Sequence, residues 1–172
     1  MHMQRVDMKQ ARHRIVTALV AALLALPAAA DDARELEWLD LMPAEEAESW
    51  LSESGNVDHS GYTAPDPFQS WNTVSELDGQ RVRLPGFVVP VETDGQGRLT
   101  EFFLVPYFGA CIHVPPPPAN QIVYGRLAEP IEMVNIWDAF WMEGTLHVEE
   151  VTNETADSAY TMAVDSLKPY SG

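Results

Sequence analysis

Cys111 and His113 carry the reactive potential of this chain: a thiol, its only one, two residues from an imidazole, within Phe-Gly-Ala-Cys-Ile-His-Val-Pro-Pro-Pro-Pro-Ala-Asn-Gln from Phe108 to Gln121. A thiolate and an imidazole are preferred ligands of zinc and copper, and a further donor with water would complete a labile tetrahedral site. On a strand, side chains two apart share a face, so both groups point at one object. The same spacing holds them roughly 6 to 7 Å apart, too far for direct proton transfer from sulfur to nitrogen. A self-contained nucleophilic dyad is therefore disfavoured, and thiol-dependent or redox chemistry at Cys111 is the alternative to a binding role. A third reading is structural, with Cys111 as a buried small hydrophobe and His113 bonded to a backbone carbonyl.

The elements around the pair set what it can reach. Pro115, Pro116, Pro117 and Pro118 restrict φ and remove backbone donors, which gives a stiff, extended connection. Tyr107 and Phe108 precede it, and Asn120 and Gln121 follow. Stiff proline-rich segments flanked by aromatics are docked at low entropic cost, so Tyr107, Phe108 and the prolines form a candidate docking edge. Completion of the core is the competing role for the two aromatics. Of the remaining histidines, His147 lies in a strand pattern and is the better third metal ligand, its structural alternative being an ordinary half-exposed strand histidine. His59 falls in a polar lead. No serine nucleophile elbow, phosphate loop or helical two-histidine zinc motif occurs.

Compartment follows from the first 30 residues. Arg5, Lys9, Arg12 and Arg14 precede an apolar run from Ile15 to Leu26, and Pro27-Ala28-Ala29-Ala30 offers small residues for cleavage before Asp31. This is the pattern of a secretory signal peptide, and the run is shorter than the roughly 18 apolar residues a membrane span needs. The expected product is periplasmic or secreted, without a transmembrane span. It would hold six basic against 25 acidic side chains, a formal charge of −19 compared with −16 for the whole chain. Nucleic acid and anionic membranes are poor partners for such a surface. With a single cysteine there is no internal disulfide, so an apolar core must hold the fold.

Residues 31–74 read as a helical lead and linker, and 75–172 as a β domain. Trp38, Leu39 and Leu41 cluster before Pro43, which starts a helix through Leu51 with Glu45 and Glu46 in its first turn. Residues 53–70 are rich in Gly, Ser, Pro and Asp and read as a loop. Strands are predicted over Arg81 to Val91, with Gly86 and Pro90 as bulge or edge positions, then Leu99 to Val105, Gln121 to Leu127, Ala139 to Thr152, and Ala159 to Leu167. Five strands with one elongated connection predict a mainly β fold, a small OB-like barrel behind an N-terminal helical lead, with a two-sheet sandwich as the alternative.

Leu77-Asp78-Gly79-Gln80-Arg81-Val82-Arg83-Leu84-Pro85-Gly86-Phe87, the Phe103 to Gln121 string, Trp38 to Pro43 and Trp141 to Leu146 resemble the bacterial DUF3299 family, whose activity is not settled. The resemblance implies an exported protein and an accessory role beside an ABC-type transport system or another exported protein. It also implies zinc or other transition-metal handling. Members are often lipoproteins, whereas no cysteine follows the apolar run here. The family's signature falls on Cys111, His113, Pro115 to Pro118, Asn120 and Gln121.

Overall fold

The computed structural model describes residues 32–54, 69–110 and 117–171. Its order is β1 (Arg34–Glu35), a 3-10 turn (Trp38–Leu41), α1 (Ala44–Ser54), a second 3-10 turn (Ser75–Leu77), β2 (Arg81–Thr93), β3 (Leu99–Val105), a third 3-10 turn (Ala119–Gln121), β4 (Val123–Ile131), β5 (Ala139–Thr152) and β6 (Asp157–Pro169). Neighbours run β1-β2-β3-β4-β6-β5, and β5 returns to β2. Five strands thus close on themselves, with β1 added parallel to β2 at Arg34 and Glu35. Only the β4–β6 pairing within the barrel is parallel. Closure in this order gives the OB-type barrel rather than the two-sheet sandwich.

Long β2 makes closure possible. Arg81 to Phe87 pair with β5, and Phe87 to Thr93 pair with β3, so one strand belongs to two walls. The ladder slips between Pro90 and Glu92, where proline has no N–H to give. β3 and β5 have the predicted bounds. β6 is longer at both ends, and α1 runs to Ser54. β4 begins at Val123, because Gln121 belongs to the preceding 3-10 turn, and extends to Ile131. β1, two residues long, carries no periodicity by which to find it.

Alternation fills the barrel. Val82 and Leu84 of β2, Phe140, Met142 and Leu146 of β5, and Tyr160, Met162 and Val164 of β6 point inward to one core with Phe102 and Leu104. Leu36 and Leu41 of the lead, with Leu77 of the second 3-10 turn, join this core, so the lead covers the barrel rather than trailing from it. Tyr160 fastens it: its hydroxyl donates to the Leu41 carbonyl (2.9 Å) and accepts from the Val74 N–H (2.7 Å). Burial pushes its pKa up to about 12, so it stays a neutral donor. Trp38 Nε1 donates to the Pro85 carbonyl at 2.8 Å, beside Gly86. A Cβ on Gly86 would lie 2.7 Å from the Val105 carbonyl oxygen.

A second apolar cluster covers the outer face of β2, β3 and β4. It comprises Val89, Phe103, Val105, Ile122 and Tyr124, with Ala110 and Ala156, and Phe87 at its margin. OB barrels often bind oligonucleotides near this surface. Here much of it is occupied by the chain's own side chains.

Two substitutions test these contacts. Gly144 sits where β5 and β6 slip register, and a Cβ there would lie 2.1 Å from the Ala163 carbonyl oxygen. Gly144→Ala is expected to cost about 1–3 kcal/mol or more by overpacking, read as a lower urea midpoint. Tyr160→Phe leaves the buried ends of the lead unpaired and is expected to cost about 1–3 kcal/mol in the same measurement.

Candidate functional site

The signature segment leaves the barrel at the end of β3 and returns through the third 3-10 turn into β4. Its far end is built from buried polar groups. Asn120 is fully buried, and its Nδ2 faces three acceptors: Glu46 Oε1 at 2.8 Å, Ser70 Oγ at 3.1 Å and the Asn72 carbonyl at 2.9 Å. Those acceptors determine which end of the amide carries nitrogen. Its Oδ1 is buried without a hydrogen-bond partner among the described residues. The Asn120 N–H also donates to the Ser70 carbonyl at 3.2 Å. Gln121 Nε2 donates to the Trp38 carbonyl at 2.8 Å and to the Asn120 carbonyl at 3.0 Å. Asn120 and Gln121 therefore pin the returning segment to the lead and are not surface ligands.

Glu46, on the first turn of α1, is central to this cluster. Burial alone would raise its pKa, but hydrogen bonds from Ser70, Asn72 and Asn120 outweigh that and hold it below the usual glutamate value. Its ionised form therefore stabilises the fold at neutral pH, and that contribution is lost as pH falls through the lowered value. A cleft of about 620 Å³ opens between α1 and residues 69–73, lined by Glu46, Ser70 and Asn72 among others. Those three side chains already bond within the fold. The cleft is a seam within the lead, between α1 and residues 69–73.

The near end differs. Tyr107 and Phe108 are 44% and 40% exposed, so they do not simply complete the core. Phe108 meets Phe87 edge-on at 6.0 Å and stacks on Trp137 at 4.6 Å between centroids and 28° between planes. Trp137, in the connection from β4 to β5, is 65% exposed. Motif reasoning does not reach Trp137. A large aromatic in a short inter-strand connection, between Asn135 and Asp138, was the available signal. The turn comes beside the loop because Phe87 pairs with Val105 on one side and with Ala139 on the other.

Cys111, His113, Pro115, Pro116 and His59 lie outside the described residues, whereas Pro117 and Pro118 are buried. His147 is on β5, exposed, with Nδ1 at 3.5 Å from Asp78 Oδ1. Among the described residues no group of three or more His, Cys, Asp or Glu is arranged to hold a metal. No described helix is long and apolar enough to cross a membrane.

Residues 38–169 match the model of a family described as a protein of unknown function, DUF3299. The fold is similar to the crystal structure of a DUF3299 family protein from Pseudomonas aeruginosa PAO1, with 39% identity and a TM-score of 0.63, over 81% of this chain and 97% of that one. Among curated proteins none matches.

Asn120→Ala removes the donor shared by three segments and is expected to cost about 1–3 kcal/mol in urea unfolding. Asn120→Asp is expected to cost more at neutral pH, because it sets a second carboxylate against Glu46. The gap between the two variants should narrow on acidification as the pair becomes protonated. Equal urea midpoints for both variants across the pH range would remove Glu46 from this role.

Proposed function

The chain belongs to the DUF3299 family, and we propose on that footing that it is an exported, non-enzymatic binding protein that docks a partner through the aromatic edge at the head of the signature loop. The partner class is a component of an ABC-type transport system or another exported protein. Residues 1–30 support export, with the charge order, apolar length and small residues of a cleaved signal.

One observation carries the docking reading: the signature segment is anchored where it returns and aromatic where it departs. Asn120 and Gln121 are buried and bonded, while Tyr107 and Phe108 are partly exposed and Phe108 stacks on the exposed Trp137. Exposed aromatics on a rigid scaffold are favoured interface anchors, since they offer large area with few rotors to immobilise. The cysteine–histidine pair lies within the same segment, so any ligand it holds adjoins this edge in sequence.

The test is photo-crosslinking in the native host, with a benzophenone amino acid placed at Tyr107, at Phe108 or, as control, at the exposed Glu150 of β5. Discrete adducts at the first two positions and none at Glu150 are expected, on protein whose mature mass begins at Asp31. Absence of adducts at Tyr107 and Phe108, or equal labelling at all three positions, would remove the docking edge. Mass that retains residues 1–30 would remove export with cleavage.

A further inference from the structure

Trp137 is held in place although it packs mainly on one side. Its N–H donates to Asn135 Oδ1 at 3.3 Å, the Asp138 N–H donates to the Asn135 carbonyl at 3.1 Å, and Asn135 Nδ2 donates to Asp138 Oδ2 at 2.9 Å. An Asx turn of this kind fixes the backbone on which the indole stands. Phe108 covers one face of the ring. The ring is thus ordered before any partner arrives, which lowers the entropic cost of using it.

Elsewhere the fold covers aromatic faces with its own cations. Arg83 lies over Trp141 at 4.8 Å from the centroid, and Arg126 over Tyr124 at 5.1 Å. Arg81, Arg83, Arg98 and Arg126 are all held by carboxylates. Among the described residues no cation lies over Trp137, and its connection, residues 132–138, carries Glu132 and Asp138 with no basic residue. Both acids are exposed.

We propose that Trp137 and its turn complete the docking edge and that the occupant is a basic peptide segment of another protein. An arginine or lysine would stack its cationic head on the indole, with Asp138 in the same turn and Glu132 earlier in the same connection as counter-charges. The acidic excess, a formal charge of −16 for the whole chain and −19 without residues 1–30, favours such a partner over the whole surface and steers its approach. Anionic lipid and nucleic acid are repelled by the same field. A neutral apolar partner would use the ring but gain nothing from the acids. This inference rests on the docking reading above and names the chemistry of the partner.

The probe is a short peptide of alternating arginine and leucine, with a twin in which citrulline replaces arginine, titrated into the purified protein at low and high salt. The arginine peptide is expected to bind, to weaken with salt, and to lose about tenfold in affinity both in the citrulline twin and in Trp137→Ala. Glu150→Gln, which removes one charge far along β5, is expected to change the affinity less than about twofold. Trp137→Ala loses the stack on Phe108 and should lower stability by only about 0.5–1.5 kcal/mol, so a single cooperative urea transition close to the wild-type midpoint is the check on folding. Unchanged affinity in Trp137→Ala, or equal binding of the citrulline twin, overturns the proposal. Crosslinks at Phe108 that persist while the arginine peptide fails to bind overturn the basic occupant and leave the docking reading standing. Loss of both overturns both.

Discussion

The side-chain amide of Asn120 joins three segments, α1, residues 69–73 and the returning end of the signature segment. Its Nδ2, itself buried, sits among Glu46 Oε1 of α1, Ser70 Oγ and the Asn72 carbonyl. Buried polar groups hold a structure strongly because leaving any of them unpaired costs the full desolvation of that group. Gln121 repeats the device on the Trp38 carbonyl, and Tyr160 repeats it between Leu41 and Val74. These contacts sew the N-terminal lead over the barrel and fix where the signature segment returns. The aromatic edge stands on that foundation, since Phe108 precedes the segment whose other end Asn120 holds.

The apolar terms hold the barrel itself. Two clusters, one inside and one on the outer face of β2, β3 and β4, draw on nearly every strand. The ion pairs are of a different kind. Arg81 with Glu143 and Asp165, Arg83 with Glu35, and Arg126 with Glu149 are solvent-exposed, where such pairs contribute little each. Their effect on function is indirect. By engaging most of the arginines, they leave a surface on which carboxylates predominate and basic partners are the complementary class.

Much of the fold was legible because its signals are local. β3 and β5 could be bounded from alternation and from the turn residues beside them, Asp94, Gly95 and Gly97 before β3 among them. Asp94 Oδ1 there accepts from the Gln96 and Arg98 N–H groups, as a turn aspartate should. Of the differences, two come from tertiary contacts. Gln121 has strand-like neighbours, yet it turns in a 3-10 helix because its side chain is committed to Trp38. β1 exists only because β2 offers it an edge.

The candidate site divides in the same way. Composition and spacing alone marked the segment from Tyr107 to Gln121 as the distinctive part of the chain, because a thiol, an imidazole and four prolines in one run are visible without a fold. Spacing also argued against a direct thiol–imidazole dyad. Only the tertiary structure separated that run into buried pins, Asn120 and Gln121, and an exposed edge, Tyr107 and Phe108. It alone added Trp137, which lies 29 residues from Phe108 and meets it through the pairing of Phe87 with both Val105 and Ala139. Cross-strand register depends on how distant strands close the barrel, and no local pattern of side chains encodes that closure.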